Sequence, residues 1–281
     1  MSTECDTTRR FRSANIHVYG RCNYCCEHCF DRCLTRSYMR PADWADILSF
    51  LREYGVEKIN LAGGEPMMYP FLDQMCYLVK GMGFKLSIIS NGSLMTEGWM
   101  ERMEGVVDWI GLSVDSVDEE DEVLIGRGAG GHLENVVRVA DMARRHGIRV
   151  KLNITVVRRS WMKDFGPLIE RVGPDRVKCL RALTLRNAND DVPDTWSVTD
   201  EQFKDFRRRH EGVPGIVFED NDDMVSSYVM FDPLGRWMVN SGYEKRFISF
   251  EVVRREGLDR EVDVERYFGR NAVYDWRSWH P

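Results

Sequence analysis

Residues 15–30 read Asn15-Ile16-His17-Val18-Tyr19-Gly20-Arg21-Cys22-Asn23-Tyr24-Cys25-Cys26-Glu27-His28-Cys29-Phe30. The first five alternate polar and apolar, which is the period of a β-strand, and a cysteine-rich loop follows at once. Of the 8 cysteines in the chain, five fall between Cys22 and Cys33. Neighbours this close cannot pair with one another without strain, and such clusters bind metal. Two spacings can be read. Cys22-x2-Cys25 with Cys26-x2-Cys29 suggests zinc, although structural zinc sites set their two pairs a dozen or more residues apart. Cys22-x3-Cys26-x2-Cys29 supplies one soft thiolate to each of three irons in a 4Fe-4S cube and leaves the fourth iron to an outside ligand. A zinc knuckle completed by Cys25 and His28 is the competing reading.

Working outward from this loop, strand and helix patterns alternate. Strands are expected at 15–19, 58–62, 84–90, 108–114, 149–157 and 176–185. Helices are expected from Pro41 to Tyr54, at about 70–80, 97–103 and 161–171, and on a face made by Leu133, Val136, Val137 and Ala140. About six β/α units predict a parallel sheet in a partial (β/α)6 barrel. Thr199 to Gln202 reads as a capping box opening a helix that buries Phe203 and Phe206. A hairpin is expected around Asp232-Pro233-Leu234-Gly235. The domain reading is a flexible tail at 1–12, a barrel core at 13–190 and a C-terminal α+β extension at 191–281 capping the barrel.

The strands are unusual in their polar faces. Buried parallel strands read as continuous apolar runs, but residues two apart share a face. In Lys58-Ile59-Asn60-Leu61-Ala62 the apolar Ile59 and Leu61 should meet helices, so Lys58 and Asn60 point inward. The same rule turns Asn15, His17 and Tyr19 inward, then Lys151, Asn153 and Thr155, then Arg176 and Lys178. Four cations lining one interior are costly unless they meet an anion. Several converging cations best match a polyphosphate, with Arg forking two oxygens and Lys acting as a point charge. Each cation taken alone could instead snorkel to the rim or pair with a carboxylate.

At the ligand-binding end of the same strands lie Ala62-Gly63-Gly64-Glu65-Pro66, Ser90-Asn91-Gly92-Ser93 and Gly111-Leu112-Ser113-Val114-Asp115-Ser116. Glycines there admit a ligand close to the backbone, and Glu65 can accept from an ammonium group. Arg127, in Leu124-Ile125-Gly126-Arg127-Gly128, either holds a carboxylate or is a solvated loop residue.

The loop Cys22–Cys29 resembles the CxxxCxxC loop of radical S-adenosylmethionine enzymes, and Gly63-Gly64-Glu65-Pro66 resembles their GGEP motif. The motifs 60–66, 90–93, 115–116 and 124–128, in this order, are similar to those of the viperin-like enzymes, over nearly the whole chain from Ser13. The resemblance implies a 4Fe-4S cluster on Cys22, Cys26 and Cys29 that cleaves S-adenosylmethionine. It further implies that the resulting radical takes the 4′ hydrogen of a ribonucleoside triphosphate. Loss of water then leaves a 3′-deoxy-3′,4′-didehydro nucleotide, an antiviral chain terminator. Gly63, Gly64, Glu65, Ser90, Asn91, Ser113 and Arg127 would bind the cofactor. Asn15, Lys58, Lys151, Asn153, Arg176 and Lys178 would bind substrate, with Lys151 also the candidate catalytic acid. CTP and UTP are the expected substrates, and a purine nucleotide or a peptide is the alternative. Four features depart from the family: His28 in place of an aromatic, Ala62 in place of serine before the glycines, the extra Cys25, and a tail ending Trp276-Arg277-Ser278-Trp279-His280-Pro281.

Composition agrees with an enzyme: 281 residues, 43% hydrophobic and 30% charged, with a net charge of −6. An acidic chain is a poor coat for nucleic acid. No apolar run of membrane-spanning length occurs, and no signal-peptide or amphipathic helix is expected at the start. The expectation is a cytoplasmic monomer that takes electrons from a flavodoxin- or ferredoxin-type donor. A zinc-stabilised binding module without catalysis remains the rival from another class.

Overall fold

The computed structural model describes residues 11–191 and 195–272. Its centre is one ten-stranded sheet. Seven strands run parallel in sequence order: β1 (Ser13–Tyr19), β2 (Lys58–Gly63), β3 (Lys85–Ser90), β4 (Trp109–Val114), β5 (Arg149–Val156), β6 (Arg176–Arg181) and β7 (Ile216–Glu219). The outer edge of β1 carries β8 (Met230–Phe231), which is parallel to it, followed by antiparallel β9 (Trp237–Val239) and β10 (Arg246–Ile248). Helices α1 (Ala45–Glu53), α2 (Leu72–Gly81), α3 (Glu97–Met103), α4 (Glu119–Ile125), α5 (His132–Arg145) and α6 (Gly166–Val172) connect the first six strands, and α7 (Asp200–His210) precedes β7.

The partial barrel therefore extends past the six expected strands. Residues beyond 191 add β7 to one edge and β8 to the other, so the extension is woven into the sheet. The apolar faces of the strands bury Ile16, Val18, Ile59, Leu61, Leu152 and Ile154 against the helices, each fully enclosed. On the other side of that layer α1 contributes Ile47, Leu48 and Leu51, and α5 contributes Val136, Val139, Ala140 and Ala143. Val137, expected on the buried face of α5, is only partly covered, and Val139 takes its place. The hairpin at 232–235 and the Thr199 capping box, with Phe203 and Phe206 buried behind it, form as expected.

Four local differences stand out, three of them with a clear physical cause. The expected helix at 161–171 begins only at Gly166, where Pro167 in the first turn fits an N-terminus. The sixth strand stops at Arg181, four residues before the expected end. Helix α4 falls in a stretch where no helix is expected from the sequence, because its buried face is Glu122 and Ile125 and thus carries no apolar periodicity. Tyr19, expected to face inward, packs on Tyr38 and Tyr69, with ring centroids 5.2 and 6.3 Å away. The β1–β2 pairing slips between His17 and Tyr19, and such a bulge re-aims the following side chain.

Residues 1–10 of the expected tail, and Tyr274, Trp276 and Trp279, lie outside the described residues. Phe11 is buried edge-on against Tyr267, at 4.9 Å between centroids. Among the described residues, no helix is long and apolar enough to cross a membrane.

Candidate active site

Polar positions on six parallel strands and the cysteine loop enclose one cavity of about 350 Å³. All the residues singled out from the sequence line it: Cys22, Cys26, Cys29, Gly63, Gly64, Glu65, Ser90, Asn91, Ser113, Arg127, Asn15, Lys58, Lys151, Asn153, Arg176 and Lys178.

At the loop end, the structure explains why glycines are needed. Gly63 has φ +130°, and a Cβ there would lie 2.3 Å from the Tyr19 carbonyl; one on Gly64 would lie 2.2 Å from that of Arg21. The backbone pressed against both glycines is the chain's own cysteine loop, held by Gly64 N–H donating to Tyr19 and Glu65 N–H to Arg21, both at 2.7 Å. Residues 125–126 clamp the other side of the loop. Cys25 N–H donates to the Gly126 carbonyl and Glu27 N–H to that of Ile125, both at 3.0 Å. The 124–128 motif thus shapes the loop as well as carrying Arg127.

Arg127 is buried, not solvated. Its Nε donates to Asp115 Oδ2 at 2.5 Å, and Glu122 lies 3.6 Å away. Asp115 also meets His28 Nε2 at 3.2 Å and accepts the Thr155 N–H. Burial alone would raise the Asp115 carboxyl, but Arg127 and His28 outweigh it and keep it ionised. Glu122, buried beside Asp115, is pushed up to about 8. Glu65 accepts from Met67 N–H, the Ser90 hydroxyl and Asn91 N–H at 2.7–3.0 Å. A carboxylate has about four acceptor sites, so capacity for one more donor remains there. Ser113 faces the cavity, and its carbonyl bonds His132 Nε2 at 2.9 Å.

The three cysteines suit an iron–sulfur cube better than a single ion. Among the described residues, no three Cys, His, Asp or Glu side chains converge on one point. Cys22, Cys26 and Cys29 border the same cavity, as thiolates that each hold a different iron must. Cys25 is exposed and absent from the cavity lining. Burial pushes the Cys26 and Cys29 thiols up to about 12, so ligation would displace their protons.

The cation end follows the inward pattern of the strands. Burial, then the charges of Arg176 and Lys178, pull Lys58 down to about 7 against a weaker opposing effect of Asp108. Burial and the charges of Lys58, Lys178 and Arg176 hold Lys151 well below its usual value. Asn60 donates to Asn15 Oδ1 at 2.9 Å, whereas buried Asn153 Nδ2 has no hydrogen-bond partner among the described residues. Lys178 differs from the other cations: Glu219 Oε2 stands 2.9 Å from its ammonium and the Tyr228 hydroxyl 2.6 Å. Tyr228 in turn donates to Glu219.

Several lining residues were not singled out. Trp109 lies two residues before Gly111 on the inward face of β4, so the period-2 rule would have found it; Lys58 and Arg149 flank its ring at 5.3 and 5.5 Å. Tyr228, also in the lining, and Glu219, outside the lining but bonded to Lys178, come from the approach to β8 and from β7, where the sequence shows no β/α unit. A third buried group joins His17, Asp31 and Lys245, with Asp31 2.9 Å from each partner. Burial pushes the Asp31 carboxyl up, but His17 and Lys245 together hold it at about 2.

Comparisons with known proteins agree with this architecture. The Radical SAM superfamily model matches residues 16–172. A Thermoplasmatales archaeon (strain ISO4-H5) protein named S-adenosylmethionine-dependent nucleotide dehydratase is 81% identical over 98% of this chain and 100% of its own length. The S-adenosylmethionine-dependent nucleotide dehydratase RSAD2 of Oncorhynchus mykiss is 33% identical, covering 94% of this chain and 80% of that one. Among solved structures, Streptococcus suis SuiB bound to S-adenosylmethionine is similar in fold, with a TM-score of 0.65 at 16% identity over 93% of this chain and 68% of its own.

Proposed function

This chain belongs to the S-adenosylmethionine-dependent nucleotide dehydratases of the Radical SAM superfamily, and from that membership we propose that its substrate is a pyrimidine ribonucleoside triphosphate, CTP or UTP. The product is then the 3′-deoxy-3′,4′-didehydro analogue. The observation that carries the substrate class is the set of Lys58, Lys151 and Arg176 in one cavity, with lowered lysine pKa values that an anion would relieve. The zinc-module alternative is set aside, because the family is one of enzymes that use a 4Fe-4S cluster and S-adenosylmethionine.

Cys22, Cys26 and Cys29 would hold the cluster. The remaining acceptor site of Glu65 would take the cofactor's ammonium group. Gly63, Gly64, Ser90, Asn91 and Ser113 would shape the rest of its bed. Arg127 would reach the cofactor's carboxylate from a guanidinium already anchored by Asp115. When bound, the two groups supply the radical that removes a hydrogen from the substrate ribose.

The residues of the chain do the rest. Lys58, Lys151 and Arg176 anchor the triphosphate away from the reacting carbon, so that its binding energy positions the ribose. Lys178, half-neutralised by Glu219, adds less charge and more directional hydrogen bonding. Asn15 and Asn153 offer amides to sugar or phosphate, and the unpartnered Asn153 Nδ2 is a donor ready for an oxygen. Lys151 is the proposed acid for the departing 3′ hydroxyl: a lysine with a lowered pKa yields its proton more readily near neutrality. Dehydration unchanged in kcat by Lys151→Met would remove that role and leave only phosphate binding, which reads out in KM. The same reading has the enzyme acting as a cytoplasmic monomer with a flavodoxin- or ferredoxin-type donor.

The test is an anaerobic assay with reductant, S-adenosylmethionine and each of the four ribonucleoside triphosphates. The expected result is 5′-deoxyadenosine with a pyrimidine product lighter by one water. Equal or greater turnover of a purine nucleotide would refute the pyrimidine assignment.

A further inference from the structure

The segment between β1 and α1 carries Arg21, Arg32, Arg36 and Arg40, all exposed, in a protein whose net charge is −6. The same segment has two exposed carboxylates, Glu27 and Asp43, the latter accepting the Arg40 backbone N–H; its third acid, Asp31, is buried and paired with Lys245. The two ends of the segment are pinched together. A Cβ on Gly20 would lie 2.0 Å from the Thr35 carbonyl, so the chain passes close to itself one residue before Arg21 and one before Arg36. Many arginines elsewhere on the surface are matched by acids, as in Arg171–Glu134 and Arg145–Glu97, whereas among the described residues Arg158 and Arg207, like the rim arginines, have no ion pair. Among the described residues, Arg21, Arg36 and Arg40 have no such ion pair, and Arg32 meets Asp191 only at 3.7 Å.

This cationic rim borders the place where the site comes nearest to water. Cys22, next to Arg21, is exposed on one side and borders the cavity on the other. A dehydratase of this class takes one electron from outside for each radical it generates, so an electron carrier must dock close to that sulfur.

We propose that the arginine rim formed by Arg21, Arg32, Arg36 and Arg40 is the docking surface for an acidic one-electron carrier protein of the flavodoxin type. This rests on the radical reading of the site. A carboxylate-rich carrier would be steered to the rim by charges unsatisfied within the chain, against the repulsion of an otherwise acidic surface. The transfer balances as one electron: the anionic flavodoxin hydroquinone loses an electron to become the neutral semiquinone, with no proton exchanged, and the cluster takes the electron. Glu27 sets the orientation, since a partner must present its own carboxylates to the arginines on either side of it.

The test uses the full chain, anaerobically loaded with its cluster, and its Arg32→Glu/Arg36→Glu variant; neither side chain is part of the cavity. Binding of oxidised flavodoxin is measured by calorimetry at low and high salt. Formation of 5′-deoxyadenosine is driven either by flavodoxin hydroquinone or by dithionite. The variant should bind flavodoxin at least about tenfold more weakly at low salt, with the difference shrinking at high salt. Flavodoxin-driven turnover should fall with it, while dithionite-driven turnover holds. Arg254→Glu/Arg255→Glu, an equal reversal on an exposed helix elsewhere, should leave binding unchanged, and Arg36→Gln alone should give a smaller loss of the same kind. Unaltered flavodoxin binding in the Arg32→Glu/Arg36→Glu variant would overturn the proposal, as would an equal loss in the control. A single-stranded oligonucleotide that displaces flavodoxin from the rim would overturn it in favour of nucleic acid. If dithionite drives no turnover with any nucleotide, the functional reading fails on its own, and the binding measurement still decides the docking surface.

Discussion

Triphosphate binding should take up protons, and the structure sets the size of the effect. Lys58 is pulled down to about 7 by burial and by the Arg176 and Lys178 charges. A bound triphosphate brings several negative charges among these cations and favours the ammonium form. Affinity must therefore fall as pH rises past 7. The free-protein penalty for charging Lys58 grows from about twofold at pH 7 to about a hundredfold at pH 9, so Lys58 alone predicts roughly a 50-fold loss of affinity, or about 2.3 kcal/mol. Lys151, also held well below its usual value, adds to the uptake. The terminal phosphate, with a pKa of roughly 6, is already ionised over most of this range and cannot mask the trend. The assay is anaerobic calorimetry of CTP binding to the cluster-loaded enzyme with S-adenosylmethionine but no reductant, in buffers of different ionisation enthalpy. Uptake approaching one proton or more at pH 8 is expected, and Lys58→Met should reduce it. Flat affinity between pH 7 and 9 with no buffer dependence would refute the view that these lysines await an anion.

Other outcomes follow from single contacts. Cys26→Ala should lose most iron and acid-labile sulfide, whereas Cys25→Ala, at an exposed position off the cavity, should retain both; metal analysis after anaerobic purification decides. Lys245→Met leaves Asp31 buried with His17 as its sole ionic partner among the described residues, at a cost of about 3–5 kcal/mol in urea unfolding at pH 7. Because Asp31 is held at about 2, below its usual value, the parent should lose this stabilisation as pH falls from about 4 towards 2, and the variant should show a smaller loss there. Gly64→Ala forces a Cβ to within 2.2 Å of the Arg21 carbonyl, so unfolding should show about 1–3 kcal/mol of destabilisation. An unchanged melting temperature would show that the cysteine loop is not braced there.

What could be read from the sequence was whatever depends on local periodicity. Period-2 alternation separated Ile59 and Leu61, packed on helices, from Lys58 and Asn60 in the cavity, and did the same for β5 and β6. The cysteine spacing and the strand-end glycines were equally local. What escaped depends on contacts distant in sequence or on polar groups standing in apolar positions. The buried face of α4 hides behind Glu122, which accepts the Asp115 and Ser116 N–H groups at 2.7 and 2.6 Å. No local pattern reveals that Lys178 is matched by Glu219, because β7 is a four-residue strand reached after a long excursion. Tyr19 escaped because a bulge breaks the alternation on which its placement rested. Arg127 could be placed in the site from its motif, but its anchoring by Asp115 could not.

The central claim is that this cavity positions a nucleoside triphosphate so that its ribose loses a hydrogen and then water. The most direct measurement is a single anaerobic turnover with CTP, and separately UTP, deuterated at the 4′ carbon. Deuterium is expected in 5′-deoxyadenosine, in step with a nucleotide product lighter by one water. Deoxyadenosine without deuterium, or formed equally fast without nucleotide, would contradict it.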